Sequence, residues 1–440
     1  MSMDRDTQGI IEADNPWLSD GERLSSWLRS RLPGKYVPRR ATEGAHARWA
    51  ETGRAHLVVG PRRAGKSTAI WHYLSNQQEP VLFIDCEQPG IQSWCRSAPL
   101  FLKDLEELVA TPVVLFFEEA QHLEEAGLFI KGLVDRVPKA SILVTGSSAF
   151  HLQSRTRESL AGRATRTRLL PFSLAELLWD MGDRPKAIHR RLLEERFGRH
   201  SIVGGYPDVW LSETPEIELT DLVEAIILRD ASDLFRIGRP DAFRRVLRLA
   251  ATQAGNLVNV SEWSSIVGVS RDTVASYLEI LESSHVVTLV RPFVGGRRAE
   301  ITSTPKVFLV DNGIRSRLLH DFKLLDERVD KGATLENWVF TELWKELPEG
   351  ASLHFWRSAS GAEVDFVITR GDTIVGIEVK SERLRRASIP RAARSFLRAY
   401  EPKQLWLVNM GFESREQIGV TDVFWTAPTD VAARVGEAFG

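Results

Sequence analysis

His56–Thr68 reads HLVVGPRRAGKST, and this stretch decides the fold. The apolar run His56–Val59 predicts a short buried strand. It feeds Gly60, Pro61, Arg62, Arg63, Ala64, Gly65, Lys66 and Ser67, which match the phosphate-cradling pattern G-x-x-x-x-G-K-[ST] at every required position. Gly60 and Gly65 permit a tight turn, so that successive backbone N–H groups point inward at a polyphosphate. Lys66 supplies a mobile point charge for the β- and γ-phosphates. The Ser67 hydroxyl suits Mg²⁺, which prefers hard oxygen ligands. Thr68 opens the run TAIWHYL, which predicts a helix whose N-terminus faces the anion. Gly60 through Thr68 are therefore the expected ATP contacts.

Downstream the pattern alternates apolar strand and amphipathic helix. Val81–Asp85, Val113–Phe117 and Ile142–Gly146 are short apolar runs followed by polar turns. With Leu57–Val59 they predict a parallel sheet buried on both faces by crossover helices. Arg168–Pro171 is the expected fifth strand. Val113–Leu123, VVLFFEEAQHL, ends its apolar run in two carboxylates, the Walker B pattern. The first, Glu118, is the expected Mg²⁺ ligand, through water; the second, Glu119, polarises the attacking water. Asp-Glu is the usual pair, so Glu118 is one methylene longer. Thr145-Gly-Ser-Ser148 ends the next strand, where Ser147 or Ser148 can sense a γ-phosphate. Arg155–Arg168 holds five Arg against one Glu. Arg163 is the candidate for a finger reaching a neighbouring subunit's nucleotide. Upstream, Gly21–Arg31 reads as helical, and Arg39, Arg40, Arg48 and Arg54 read as a solvated face.

Residues 173–240 read as helical, interrupted by Gly204-Gly-Tyr-Pro207. Residues 241–293 read as a winged helix. Phe243–Gln253 is amphipathic. Val260–Ser270 gives a helix and a Gly-containing turn. Arg271–Leu281 gives a second helix after Ser270, a good N-cap, and His285–Val290 supplies wing strands.

The C-terminal third has its own signature. Gly332–Phe340 predicts a helix carrying Glu336. Glu363–Ile368 and Val375–Lys380 predict a hairpin turned at Gly371-Asp372. Glu378 and Lys380, two apart, share one strand face, and Asp365 can approach them across the hairpin. Glu336, Asp365, Glu378 and Lys380 form the set needed for metal-dependent phosphodiester hydrolysis: carboxylates to hold Mg²⁺, and a lysine to stabilise charge or position water. Arg383, Arg385, Arg386, Arg391, Arg394 and Arg398 are expected on one basic helix suited to DNA phosphates.

Composition bounds the rest. The 440 residues are 43% hydrophobic, enough for several cores, and the net charge of −2 confines any nucleic-acid surface to a local patch. Cys86 and Cys95 are the only cysteines, without zinc-ligand spacing, which fits a reducing compartment. Met1–Trp17 lacks the apolar core of a signal peptide, and no apolar run reaches membrane-spanning length. A cytoplasmic protein is the expectation.

Residues 55–240 resemble the AAA+ P-loop ATPases through GPRRAGKST, FFEEAQ and VTGSS. Residues 325–410 resemble the PD-(D/E)xK restriction-endonuclease-like domains, archaeal Holliday-junction resolvases in particular, through EVDFVI and IEVK. With LAGR, GGYP, FLVDNGIRS and LENWVF between them, the whole is similar to a family of prokaryotic AAA+ ATPases with this C-terminal domain. The resemblance implies an α/β chain: an N-terminal helical segment (1–50), an AAA+ core (51–172), a helical lid (173–240), a winged helix (241–300) and a nuclease-like domain (301–440). It puts Ser147 or Ser148 at the sensor position and implies nucleotide binding, DNA as partner, and a homo-oligomer such as a hexamer. Two other functions fit the same residues: a DNA motor whose nuclease-like fold only grips, and a nucleotide-switched scaffold without DNA.

Overall fold

The computed structural model describes residues 3–77, 79–109, 114–137, 140–146, 160–182, 184–226, 237–295 and 304–439. Its contacts divide the chain into two units, Met1–Pro171 with Ser283–His285, and Phe172–Glu282 with Val286–Gly440.

The first unit is built on five parallel strands, β1 (Ala55–Val59), β2 (Val81–Asp85), β3 (Val114–Glu118), β4 (Ile142–Gly146) and β5 (Ala164–Arg168), in the order β2-β3-β4-β1-β5. The apolar runs of β1 to β4 are buried almost without break, as a parallel sheet covered on both faces requires. The fifth strand lies at Ala164–Arg168, earlier than the expected Arg168–Pro171, with Val59 paired to Arg168. Its sequence, ATRTR, is polar because it is an edge. The opposite edge is closed by the N-terminal segment. The Asn15 amide donates to Phe83 O at 2.9 Å and accepts from Phe83 N–H at 2.7 Å, imitating a strand partner. The Trp17 indole donates to Val81 O at 2.8 Å.

The second unit holds the helices Lys186–Val203, Pro215–Ala225, Pro240–Thr252, Val260–Val267 and Arg271–Ser283, and one eight-stranded sheet. Asn259 caps Val260–Val267 and Gly268 ends it in the left-handed region; Ser270 then accepts the Thr273 N–H at 3.1 Å, the expected N-cap. The strands are β6 (Val287–Pro292), β7 (Lys306–Leu309), β8 (Ser352–Arg357), β9 (Glu363–Arg370), β10 (Thr373–Lys380), β11 (Gln404–Asn409), β12 (Ser414–Ile418) and β13 (Thr421–Thr426), ordered β12-β13-β11-β10-β9-β8-β6-β7. The expected wing strand at His285–Val290 corresponds to β6. It pairs antiparallel with β7 and parallel with β8, so the sheet runs across residue 300. β8, β9 and β10 form an antiparallel meander, and after the helix Arg391–Tyr400, β11 returns parallel to β10. The helix Lys331–Lys345 buries Leu335, Trp338, Val339 and Phe340 in the same apolar cluster as Phe355, Phe366 and Ile377 of the meander, which aligns Glu336 with the hairpin. Asp311, fully buried, accepts the N–H groups of Gly205, Gly313 and Ile314, which accounts for the GGYP and DNG motifs together.

The expected basic helix is shorter than read from the sequence. Arg391, Arg394 and Arg398 lie on Arg391–Tyr400, whereas Arg383, Arg385 and Arg386 precede it in a non-helical stretch. Pro390 is the reason: it disfavours the α conformation at Ile389 and lacks the N–H that a helix through it would use.

Candidate functional site

Two sets of chemistry-bearing side chains are assembled, one in each unit. The first lies at the carboxyl ends of β1 and β3, the edge where open parallel sheets bind ligands. The loop Gly60–Gly65 connects β1 to the helix Lys66–Gln77, whose first turn holds Lys66, Ser67 and Thr68. A Cβ on Gly60 would lie 1.9 Å from Leu169 O, so only glycine fits there. Gly65 has φ +87° and Arg63 φ +59°, the left-handed turn that the pattern requires. The Lys66 ammonium, 3% exposed, donates to Pro61 O at 3.1 Å and lies 3.7 Å from Glu119 Oε1. Glu118 ends β3 close enough to Ser67 for the hydroxyl to favour its charged form. Burial raises the pKa of Glu118; Ser67 lowers it, and Glu119 and Asp85 raise it further. Asp85 stands opposite Glu118 in the β2–β3 register.

Glu119 adopts φ +51°, ψ +46°, and its N–H donates to Thr145 Oγ1 at 3.1 Å. Thr145 on β4 is a contact that the sequence reading missed; that reading looked to Ser147 and Ser148, which lie outside the described residues. Arg62 pairs with Glu87 at 3.3 Å. Arg163 Nε meets Asp135 Oδ1 at 2.6 Å, a pairing within its own chain. Arg39 departs from expectation. It is 4% exposed, donates from Nη1 to Ala64 O at 2.8 Å, and reaches Leu170 O from Nη2. It therefore ties the phosphate loop to the exit of β5. Arg40 and Arg54 are exposed, as read from the sequence, whereas Arg48 is half-buried. Arg39→Met should weaken ATP binding roughly 10- to 100-fold, the value of a hydrogen bond to a charged group. Titration of ATP binding checks this, and an unchanged dissociation constant would remove Arg39 from the site.

The second set lies where β7, β9, β10 and the helix Lys331–Lys345 converge. Asp365 on β9 accepts the Val379 N–H at 2.7 Å across the hairpin. Lys380 Nζ donates to Glu378 Oε1 at 2.7 Å, while Glu378 Oε2 is buried without a partner among the described residues. Lys306, which the sequence reading did not single out, opens β7 and reaches Glu363 Oε1 at 2.5 Å and Glu336 Oε1 at 3.4 Å. The expected Glu336, Asp365, Glu378 and Lys380 thus share one cluster with Lys306 and Glu363. Burial, then the Asp365 charge, pushes Glu336 up to about 8 and Glu378 up to about 7. Burial likewise raises Asp365. Burial opposes the charge on Lys306, but Glu336, Asp365 and Glu363 outweigh it and raise its pKa. In the same unit, Arg391, Arg394 and Arg398 line a cavity of about 750 Å³ with Leu397 and Trp425.

Residues 52–178 match the AAA domain family. Residues 194–324 and 331–428 match two domains of unknown function, DUF8612 and DUF4143. The chain is 27% identical over 390 residues to the uncharacterized protein Rv2008c of Mycobacterium tuberculosis, spanning 86% of this chain and 81% of that one. It is 24% identical over 391 residues to the uncharacterized protein MJ1544 of Methanocaldococcus jannaschii, spanning 83% and 84%. Among solved structures it is similar to the Walker-type ATPase PABY2304 of Pyrococcus abyssi (17% identity, 66% of this chain and 97% of that one, TM-score 0.44). It is also similar to the RuvB Holliday junction branch migration motor of Thermotoga maritima (16% identity, 61% and 89%, TM-score 0.26). The matched domain, the parallel sheet and the phosphate loop define an AAA-type P-loop ATPase with an α/β core. No helix among the described residues is long and apolar enough to cross a membrane.

Proposed function

We propose that this ATPase works on DNA, duplex or branched, through a nuclease-like C-terminal domain, in repair, recombination or defence. One observation carries the reading: Asp365, Glu378 and Lys380 meet across the β9–β10 hairpin, with one Glu378 oxygen buried and unpartnered. A lone acceptor of that kind is costly unless a ligand uses it. Both donor sets consist of oxygen and suit Mg²⁺: Ser67 and Glu118 at the ATP site, and Asp365 and Glu378 at the second, with the expected ligand Glu336 beside them. When bound, Mg²⁺ supplies charge neutralisation for phosphate oxygens and acidifies a coordinated water. Around it, Gly60 to Thr68 wrap the triphosphate, Lys66 meets its β- and γ-oxygens, and Glu119 takes a proton from the attacking water. Lys380 stabilises charge at the second site, and Arg391, Arg394 and Arg398 receive the DNA backbone. The helices of residues 241–300 serve as a winged-helix module. In a homo-oligomer, such as a hexamer, Arg163 exchanges Asp135 for the nucleotide of the next subunit.

ATP turnover with and without duplex and four-way-junction DNA tests the proposal, with Lys66→Ala as the blank and light scattering in ATP alongside. Stimulation of several fold by DNA, in an oligomer, is expected. Turnover indifferent to DNA would move the function to a nucleotide-switched scaffold, and a monomer with ATP bound would remove Arg163 from the mechanism. Unchanged processing of DNA by Asp365→Ala would leave a motor whose second domain only grips.

A further inference from the structure

The C-terminal cluster is divided by its own cations. Lys306 Nζ serves Glu363 Oε1 at 2.5 Å and Glu336 Oε1 at 3.4 Å, and Arg357 Nη1 serves Glu363 Oε2 at 3.3 Å. On the other side Lys380 serves Glu378 Oε1, while Glu378 Oε2 has no partner among the described residues. Four carboxylates therefore face three cationic groups. When all are ionised, one negative charge is left over, on the side of Asp365 and Glu378.

Lys306 is not a surface side chain passing by. It is 2% exposed, sits in the β6–β7 ladder opposite Val290, and its ammonium lies 5.4 Å from the centre of the Phe355 ring. To place a second divalent ion on Glu336 and Glu363, this ammonium would have to give up both carboxylates while remaining out of water. A buried charge without a partner is the most unfavourable arrangement available to it.

We propose that Lys306 stands in for a second metal ion: the cluster takes one divalent cation, between Asp365 and Glu378, and Lys306 holds Glu336 and Glu363 in place beside it. This rests on the reading of the cluster as a metal site given above. Lys306 is then a positioning residue, delivered by a strand remote in sequence from the hairpin it serves. It fixes the negative side chains that border the cation without occupying a coordination position.

Counting bound Mn²⁺ tests the proposal. The full chain, without nucleotide, is titrated with Mn²⁺ and the free ion is read by electron paramagnetic resonance. The site's share is the binding lost on Asp365→Asn. One equivalent per chain is expected with Lys306 present, and two in Lys306→Met, where Glu336 and Glu363 regain free oxygens. Two equivalents with Lys306 present would overturn the proposal, whether or not Lys306→Met folds. So would one equivalent in a folded Lys306→Met chain, or binding that appears only once Lys306 is removed. Loss of nothing on Asp365→Asn, in either background, would instead defeat the metal reading of the cluster itself.

Discussion

Glu119→Gln should leave ATP binding close to normal and slow hydrolysis by roughly 10²- to 10⁴-fold, the usual contribution of a positioned general base. The backbone around Glu119 explains why this residue is singled out. It holds a left-handed conformation, φ +51°, which costs a non-glycine residue about 1–3 kcal/mol and persists where surrounding contacts enforce it. The Thr145 hydroxyl accepts its N–H, Gln121 Nε2 meets its Oε2, and Lys66 lies 3.7 Å from its Oε1. These contacts direct the carboxylate at the place where Lys66 meets phosphate. Glutamine keeps the shape and most of the hydrogen bonds, but cannot accept the proton of an attacking water. Lys66→Ala is the contrast, since it removes charge from ground and transition states alike and should lower binding and turnover together. Turnover of Mg-ATP and binding of a fluorescent nucleotide separate the two variants. Equal loss of binding in both, or full turnover by Glu119→Gln, would displace Glu119 from the role of base.

The division between what could and could not be read from the sequence follows from how each contact is made. β1 to β4 are apolar runs because both faces are covered, so composition alone locates them. β5 is invisible to the same test because ATRTR is an exposed-edge sequence. The loop residues Gly60 to Ser67 and the pair Glu118-Glu119 are contiguous, and their spacing carries the chemistry. Asp365, Glu378 and Lys380 are legible for a similar reason, since a hairpin with a two-residue turn brings them together. Arg39 and Lys306 were not legible. Arg39 reaches Ala64 across 25 positions, and Lys306 reaches Glu336 across 30. A single cation outside any periodic pattern acquires its meaning only from long-range pairing. The six-arginine helix failed for a local reason that was present in the sequence, Pro390.

Raising the pH from about 5.5 to about 8.5 without metal should destabilise the unit that carries the C-terminal cluster, and millimolar Mg²⁺ should restore it. Burial and the neighbouring Asp365 push Glu378 from 4.5 up to about 7, and Glu336 up to about 8. Both carboxyls hold their protons more tightly in the folded chain than in the unfolded one. The folded state therefore binds more protons across this interval, and stability falls as pH rises through it. The groups facing them are Asp365 and Glu363, which favour the proton, and Lys306 and Lys380, which oppose it. Across this interval Glu378 alone accounts for roughly 2 kcal/mol, which is roughly 4–8 °C in the midpoint of a domain of this size. Mg²⁺ reverses the trend because it binds the ionised cluster and takes over the charge that the protons had cancelled. Asp365→Asn removes the negative neighbour common to both carboxyls while their burial remains, so it should lessen the pH dependence and abolish the response to Mg²⁺. Calorimetric scans of the two chains, with and without Mg²⁺, make the comparison. A profile that stays flat in the unsubstituted chain, or a Mg²⁺ response that survives Asp365→Asn, would mean that the buried carboxyls are balanced within the protein and that the unpartnered Glu378 oxygen is not waiting for a cation.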